Sequence, residues 1–238
     1  SKELLEFFAG LGITIYEVYG QSEDTGPTTI SMPGKVKFGS VGPVYPGVEM
    51  RIAEDGEILV RGRNVFLGYY KDPEATDATL VDGWLHSGDL GEIDEEGFLW
   101  ITGRKKDLII TAGGKNVAPK NIEGSLKNHV LVSEAVVVGD RRKYLTCLVT
   151  IDAEASARFQ EVQGTSGDPT ADPALIAEIQ AAIDQVNEGL ARVEQLKKFT
   201  VLPRELSIEG GELTPTLKVK RNKVAENFAA EIEAMYTE

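Results

Sequence analysis

The sequence has little of what several kinds of chemistry require. Cys147 is the single cysteine in 238 residues, which excludes an intramolecular disulfide and a thiolate-rich zinc cluster. It lies in the apolar string YLTCLVTI and reads as a buried strand thiol. The two histidines, His86 and His129, have neither a partnered nucleophile pattern nor zinc spacing, so neither is assigned a catalytic role. No apolar run approaches the roughly 20 residues of a bilayer-crossing helix, and no charged-then-apolar leader opens the sequence, so we expect a soluble, cytoplasmic protein. Basic residues are also scarce: 25 Lys and Arg against 38 Asp and Glu give a net charge of −13. That balance argues against general attraction to nucleic acid or anionic lipid, because such binding needs a basic surface. Any phosphate site must be local.

What is present is enough apolar residue, 42%, to bury one or two cores at this length. In the opening KELLEFFAGLGITIYEVYG, Leu4, Leu5, Phe7 and Phe8 form an apolar helix face that stops near Gly10 and Gly12. The alternating ITIYEVY that follows predicts a strand. This is a helix-to-strand unit of α/β type, entered as if in mid-fold on a residue that is not Met, and we expect a piece of a longer protein. From about Lys37 to Arg104, short apolar runs (VEMRIA, EILVRG, FLWITG) between Pro-Gly, Asp-Gly and Glu-Gly turns predict antiparallel strands. One helix, from Asp72 or Pro73 to about Leu80, interrupts them. Beyond Asp107 the spacing predicts strand LIIT, a Gly-Gly loop, a helix from Pro119 to about Asn128, and strands LVSEAVVVG and YLTCLVTI. A helix from Ala153, a polar stretch, and a long helix carrying Leu175, Ile176, Ile179, Ile183, Val186 and Leu190 come next. Strand FTVL and one last helix over about Val219 to Met235 complete a small α+β module.

Five short motifs carry candidate chemistry. YGQSED (19–24) follows a predicted strand, at the strand end where open α/β sheets place ligands; Ser22 and Glu23 offer oxygen ligands to a hard cation, though a polar loop would look the same. SGD (87–89) supplies a carboxylate able to accept two hydrogen bonds from a vicinal diol, or forms a common turn. GRKKD (103–107) sets a guanidinium fork just after a strand, suited to phosphate or ribose oxygens, or a solvated edge guarded by lysines. TAGGKNVAP (111–119) allows close backbone approach to a ligand, or is a flexible turn. GGELTPTLKVKR (210–221) adds Lys218, whose default role is a solvated lysine.

In order and spacing, YGQSE, HSGD, GRKKDLIITAGGKNVAP and LTPTLKVKR together resemble the latter half of the adenylate-forming acyl-CoA synthetases. That superfamily includes acyl- and aryl-CoA ligases, peptide-synthetase adenylation domains and firefly luciferase, and the long-chain fatty-acid branch is the most similar. The resemblance implies attack of a carboxylic acid on the α-phosphate of ATP to give acyl-AMP and pyrophosphate, rotation of a C-terminal lid, and displacement of AMP by the CoA thiol. Carried onto this chain, it puts Tyr19 against adenine, and Gly20, Gln21 and Ser22 along the nucleotide and acyl-phosphate region. Glu23 would hold Mg²⁺, Asp89 the ribose hydroxyls, and Arg104 the ribose or phosphate side. Lys106 would be the hinge, Gly114 would border the pantetheine tunnel, and Lys218 would bridge acyl carboxylate and α-phosphate. A cation is what such a reaction needs, because two anions meet and a carboxylate is already a nucleophile at neutral pH.

The implied fold class is α/β and α+β: the end of an α/β subdomain (1–34), a β-barrel-like subdomain (35–105), and a hinge with a small α+β lid domain (106–238). The implied partners are fatty acid, ATP and CoA, with peripheral membrane contact left open. An acyl-AMP ligase serving a carrier protein, an aryl-CoA ligase, and a non-catalytic nucleotide-binding module are the alternatives. Arg141, Arg142 and Lys143 either meet the CoA phosphates or form a solvated turn. Two departures stand out: Ser22 occupies a position where Thr is more usual, keeping the hydroxyl, and the family's Ser/Thr/Gly-rich phosphate loop is absent. The isolated polypeptide is therefore expected to release no pyrophosphate from ATP and a fatty acid, measured in a coupled pyrophosphate assay.

Overall fold

A computed structural model describes residues 2–237. The chain divides after Asp107 into two compact units. In the first, helix α1 (Lys2–Gly10) precedes an antiparallel ribbon of β1 (Val18–Gln21) and β2 (Gly26–Ile30), joined through a 3-10 turn at Ser22–Asp24. Then come β3 (Val48–Ile52), β4 (Glu57–Gly62), α2 (Pro73–Thr79), β5 (Leu80–Val81), β6 (Trp84–Ile93), β7 (Leu99–Arg104) and a 3-10 turn at Lys105–Asp107. The five strands β3 to β7 make one antiparallel, half-barrel-like sheet in the order β3-β4-β6-β5, with β7 also paired to β6. Ile58, Val60, Leu85 and Leu99 fill its core, and Tyr19, Met50 and Phe66 pack around them. Asp72 caps α2, accepting from Ala75 N–H at 3.0 Å, with Pro73 in the first turn, where its missing N–H costs nothing.

The second unit starts with a small hairpin, β8 (Ile109–Ile110) and β9 (Asn116–Val117), and helix α3 (Pro119–Lys127). Strands β10 (Val132–Val138) and β11 (Leu145–Ile151) pair antiparallel; helices α4 (Ala153–Gln163) and α5 (Pro173–Glu188) then cross over to β12 (Leu196–Val201), which is parallel to β11. Helices α6 (Arg221–Asn227) and α7 (Ala229–Tyr236) finish the unit. Every residue of β11 is buried, because α3 and α5 cover one face of the sheet and α6 and α7 the other. Leu145, Cys147 and Val149 point to the first core, with Leu175, Ile179 and Ile183; Leu148 points to the second, with Val224, Phe228 and Ile232. A central strand covered on both faces reads as a continuous apolar run rather than as an alternation.

The expected fold class holds, and several boundaries move. ITIYEVY becomes strand only from Val18, because residues 13–17 have no ladder neighbour among the described residues. The apolar face of α1 is exposed, Phe7 at 61%. LIIT contributes only Ile109 and Ile110 to a ladder, and the strand foreseen at FTVL begins earlier, at Leu196. Leu190 lies beyond α5, because Asn187 turns its side-chain amide onto the backbone of Leu196, with bonds of 2.8 and 3.0 Å. The single last helix is two helices. Val219 bridges Leu213 instead, and Asn227 sends its amide to Gly210 O and Glu212, breaking the helix at Phe228, whose φ is −117°. No helix among the described residues is long and apolar enough to cross a membrane.

Leu145, fully buried in β11, gives a direct check on the second core. Leu145→Ala is expected to destabilise the protein by about 2–5 kcal/mol, seen as a lower urea midpoint at unchanged slope.

Candidate functional site

The antiparallel ribbon places YGQSE. Tyr19, Gly20 and Gln21 end β1, and Ser22 and Glu23 open the turn that follows. The turn is built on Asp24, fully buried, which accepts from Gln21 N–H at 2.8 Å and from the Thr28 hydroxyl. Asn64 braces it from outside, donating to Asp24 O at 3.0 Å and accepting at its own carbonyl from Thr25 at 2.7 Å. Only glycine fits at position 20: a Cβ there would lie 1.9 Å from Gly26 O of the facing strand. Val18, Gly20, Gln21, Ser22, Thr25, Gly26 and Pro27 line an open groove of about 420 Å³. Gln21 Nε2 is buried with no hydrogen-bond partner, a donor that gains most from a ligand oxygen. Glu23 accepts from the Tyr69 hydroxyl at 2.7 Å.

The hairpin of β6 and β7 supplies the next residues. Its register sets Asp89 directly opposite Arg104, and Arg104 Nε lies 3.5 Å from Asp89 Oδ1. Tyr19 reaches the same carboxylate, its hydroxyl donating to Asp89 Oδ2 at 3.0 Å. Burial, aided by the Asp89 charge, pushes the Tyr19 phenol well above its usual 10, so it remains a donor across the physiological range. Tyr19, Asp89 and Arg104, drawn from three separate motifs, thus form one cluster.

Beneath it lies a residue that sequence reasoning passed over. Glu57, 4% exposed, accepts from Gly88 N–H at 2.9 Å and Lys105 Nζ at 3.0 Å, and its Oε2 is 2.9 Å from His86 Nδ1. Burial alone would raise its pKa, but these three partners outweigh burial and hold it below the usual 4.5. Lys105 also meets Asp55 at 2.7 Å. The only signal in the sequence was an acid beginning an otherwise apolar strand, EILV.

In the second unit, Gly114 sits in the loop between β8 and β9 with φ of 73° and open space where a side chain would stand. That left-handed backbone favours glycine. The loop is stitched to the basic turn: Ala112 N–H donates to Arg142 O at 2.9 Å and Arg141 N–H to Ile110 O at 2.8 Å. Arg142 is committed to Glu233 and stacks on Tyr236, whereas Arg141 and Lys143 are exposed. Lys218 lies on an exposed hairpin loop closed by Thr214, whose N–H donates to Lys218 O at 2.8 Å and whose hydroxyl accepts from Lys218 N–H at 2.9 Å. Its ammonium has no ion-pair partner among the described residues. The loop base is anchored by Glu212, fully buried, which holds Arg204 at 2.5 Å, Asn227 at 2.5 Å and Ser207 N–H at 3.1 Å. Lys106 is exposed, in the 3-10 turn that ends the first unit.

The sequence model of the family described as AMP-binding enzyme C-terminal domain matches residues 106–238, and that of AMP-binding enzyme matches 1–70. The long-chain-fatty-acid–CoA ligase FadD15 of Mycobacterium bovis is 52% identical over 235 residues, 97% of this chain and 39% of that protein. The long-chain-fatty-acid–CoA ligase ACSBG2 of Xenopus laevis is 39% identical over 264 residues, 99% of this chain and 36% of that protein. Among solved structures, the O-succinylbenzoate coenzyme A synthetase of Bacillus subtilis in complex with ATP and magnesium ion has a TM-score of 0.71 at 29% identity, covering 92% of this chain and 43% of that one. The chain spans less than half the length of the curated relatives it matches.

The Glu212 anchor makes the loop of Lys218 sensitive to acid. Arg204, with Asn227 and Ser207 N–H, lowers the Glu212 pKa from 4.5 to about 2. A carboxylate whose pKa is depressed in the folded state adds stability above its unfolded value, and loses it as pH falls through the folded one. Glu212→Gln is therefore expected to lower the thermal midpoint at pH 7, with the difference from the parent shrinking between about pH 4.5 and 2, as followed by circular dichroism melts.

Proposed function

Because the chain belongs to the AMP-binding, adenylate-forming enzymes, we propose that it is the nucleotide-gripping and lid-bearing part of an ATP-dependent long-chain fatty-acid CoA ligase. The reaction converts fatty acid, ATP and CoA to acyl-CoA, AMP and pyrophosphate through an acyl-adenylate. The convergence of Tyr19, Asp89 and Arg104 carries the reading, since a carboxylate flanked by a phenol and a guanidinium suits a ribose diol next to a phosphate. The identity to long-chain ligases supports the choice of acid.

In this proposal residues 1–34 finish an α/β subdomain, 35–105 form the barrel-like subdomain and 106–238 the hinge and lid. Asp89 accepts the ribose hydroxyls and Arg104 steadies the ribose or phosphate side. Tyr19 packs against the adenine; Gly20, Gln21 and Ser22 line the groove, and the orphaned Gln21 amide donates to a nucleotide oxygen. Glu23 fits a Mg²⁺ brought in with ATP, because that ion keeps its waters and takes phosphate oxygens, so one protein carboxylate suffices. When bound, Mg²⁺ supplies positive charge to the phosphates. Lys218, uncommitted to any acid, bridges the acyl carboxylate and α-phosphate. The lid then turns about Lys106 and Gly114 borders the pantetheine path. Exposed Arg141 and Lys143, hydrogen-bonded through their turn to the Gly114 loop, favour free CoA over a carrier protein, because only CoA brings nucleotide phosphates to meet them. The work is placed in the cytoplasm.

The test uses the full-length polypeptide and separates the two half-reactions. Lys218→Ala is expected to slow acyl-AMP formation about 10²- to 10³-fold while sparing thioester formation from supplied acyl-AMP. Lys106→Pro is expected to do the reverse. Equal loss of both half-reactions in Lys218→Ala would sink its assigned role, and normal thioester formation by Lys106→Pro would sink the hinge.

A further inference from the structure

One buried carboxylate touches both ends of the hairpin that carries the nucleotide cluster. Glu57 Oε1 accepts from the N–H of Gly88, the residue before Asp89, at 2.9 Å; Glu57 Oε2 accepts from Lys105, the residue after Arg104, at 3.0 Å. Its place is fixed by its own strand. Glu57 opens β4, where the pairing with β6 shifts register between Glu57 and Leu59. That irregularity sets the side chain against the Ser87-Gly88-Asp89 bulge within β6. The bulge needs such a support: Gly88 has φ of 71° and is paired with no residue of β4 or β7, so Glu57 takes its N–H. Ser87 adds a second brace, its hydroxyl accepting from Asp89 N–H at 3.1 Å.

Lys105 is shared between Glu57, 5% exposed at the side chain, and Asp55, 51% exposed. An ion pair whose acid is buried is not dismissed like an exposed one, since removing either partner strands a charge or an unmet acceptor. Lys105 is also the first residue of the 3-10 turn that leads to Lys106.

We infer that Glu57 is a positioning residue: with Lys105 it latches the β6 bulge before Asp89 and the Arg104 strand end together, shaping the ribose grip and pinning the chain up to Lys105. Rotation about Lys106 then starts from a fixed point, and the nucleotide cluster keeps its geometry while the lid turns. Neither Glu57 nor Lys105 meets substrate. Their effect runs through the positions of Asp89 and Arg104, so it belongs in the KM for ATP rather than in the chemical step. This inference rests on the ligase reading above.

The test measures ATP-pyrophosphate exchange by the full-length polypeptide with a long-chain fatty acid. Glu57→Gln keeps an acceptor for Gly88 but loses the charge facing Lys105, and Lys105→Met removes the pair from the other side. Each is expected to raise the KM for ATP about tenfold with kcat changed less than threefold. The double variant should be no worse than the more damaged single, and Lys105→Arg should restore KM to within about threefold of the parent. A KM unchanged within twofold in Lys105→Met overturns the latch. So do additive effects in the double variant, or a parallel fall in kcat and thermal midpoint without rescue by arginine. Should Glu57→Gln fail to fold, the half-exposed Lys105 variants decide by themselves. A parent without exchange activity on any acid refutes the ligase reading and this inference with it; an active parent with indifferent variants refutes the latch alone.

Discussion

The register between β6 and β7 is the constraint on which the first unit depends. Asp89 faces Arg104 and Gly91 faces Ile101, with one shift between Leu90 and Gly91. A slip of one residue would turn every side chain of a strand to the other face, carrying Asp89 away from Tyr19 and Arg104 at once. The register is held by burial, since Leu85 and Leu99 fill the core of the sheet, and by Asp94 at the hairpin end. Lys37, with the N–H groups of Phe98 and Glu96 and the Trp100 indole, keeps that carboxyl far below its usual 3.8. Apolar packing and one polar knot thus fix a pairing whose product is a polar cluster at the rim.

The second unit reaches the same end by different means. Its larger sheet has three strands among the described residues, yet helices cover both faces, and β11 becomes a rigid spine. Both loops that carry candidate residues are tied back to the unit through acids, Glu123 nearly buried and Glu212 fully so. Glu123 of α3 takes Val137 N–H at 2.7 Å and Arg221 at 2.5 Å, joining the helix after the Gly114 loop to the start of α6 after Lys218. Glu212 clamps the base of the Lys218 loop. The exposed tips are left without such ties, the division expected where a loop must be placed by its base and remain available at its tip.

Much of the fold was legible because core periodicity is local. The sequence YLTCLVTI announced a strand with a buried thiol, and Pro119 and Asp72 marked helix starts. The candidate motifs could be picked out for a related reason: YGQSE, HSGD and GRKKD are contiguous, so each can be read along one dimension. Glu57 was not legible, because its partners stand 29, 31 and 48 residues away and a strand irregularity decides where it points. The helix break escaped for a similar reason. Val224, Phe228 and Ile232 keep one apolar face throughout, and only the long-range pull of Glu212 and Gly210 on Asn227 separates α6 from α7. ITIYEVY failed differently: alternation creates the capacity for a strand, but a neighbour makes it one.

In a chain of net charge −13 the cations that are already paired with acids differ in kind from those that are not. Lys105, Arg204 and Arg221 are each bound to a buried or nearly buried acid, so their charge is neutralised and their contribution is to position the backbone. Arg104 leans on Asp89 at 3.5 Å, a distance longer than a strong charge-assisted bond, which leaves it able to turn toward a ligand. Lys218 and Lys106 are exposed and take part in no ion pair among the described residues. Local charge, rather than net charge, governs a short-range encounter once salt screens the remainder beyond about 8–10 Å. A net charge of −13 is therefore compatible with gripping phosphates at one rim, and it also discourages anionic polymers from competing for that rim.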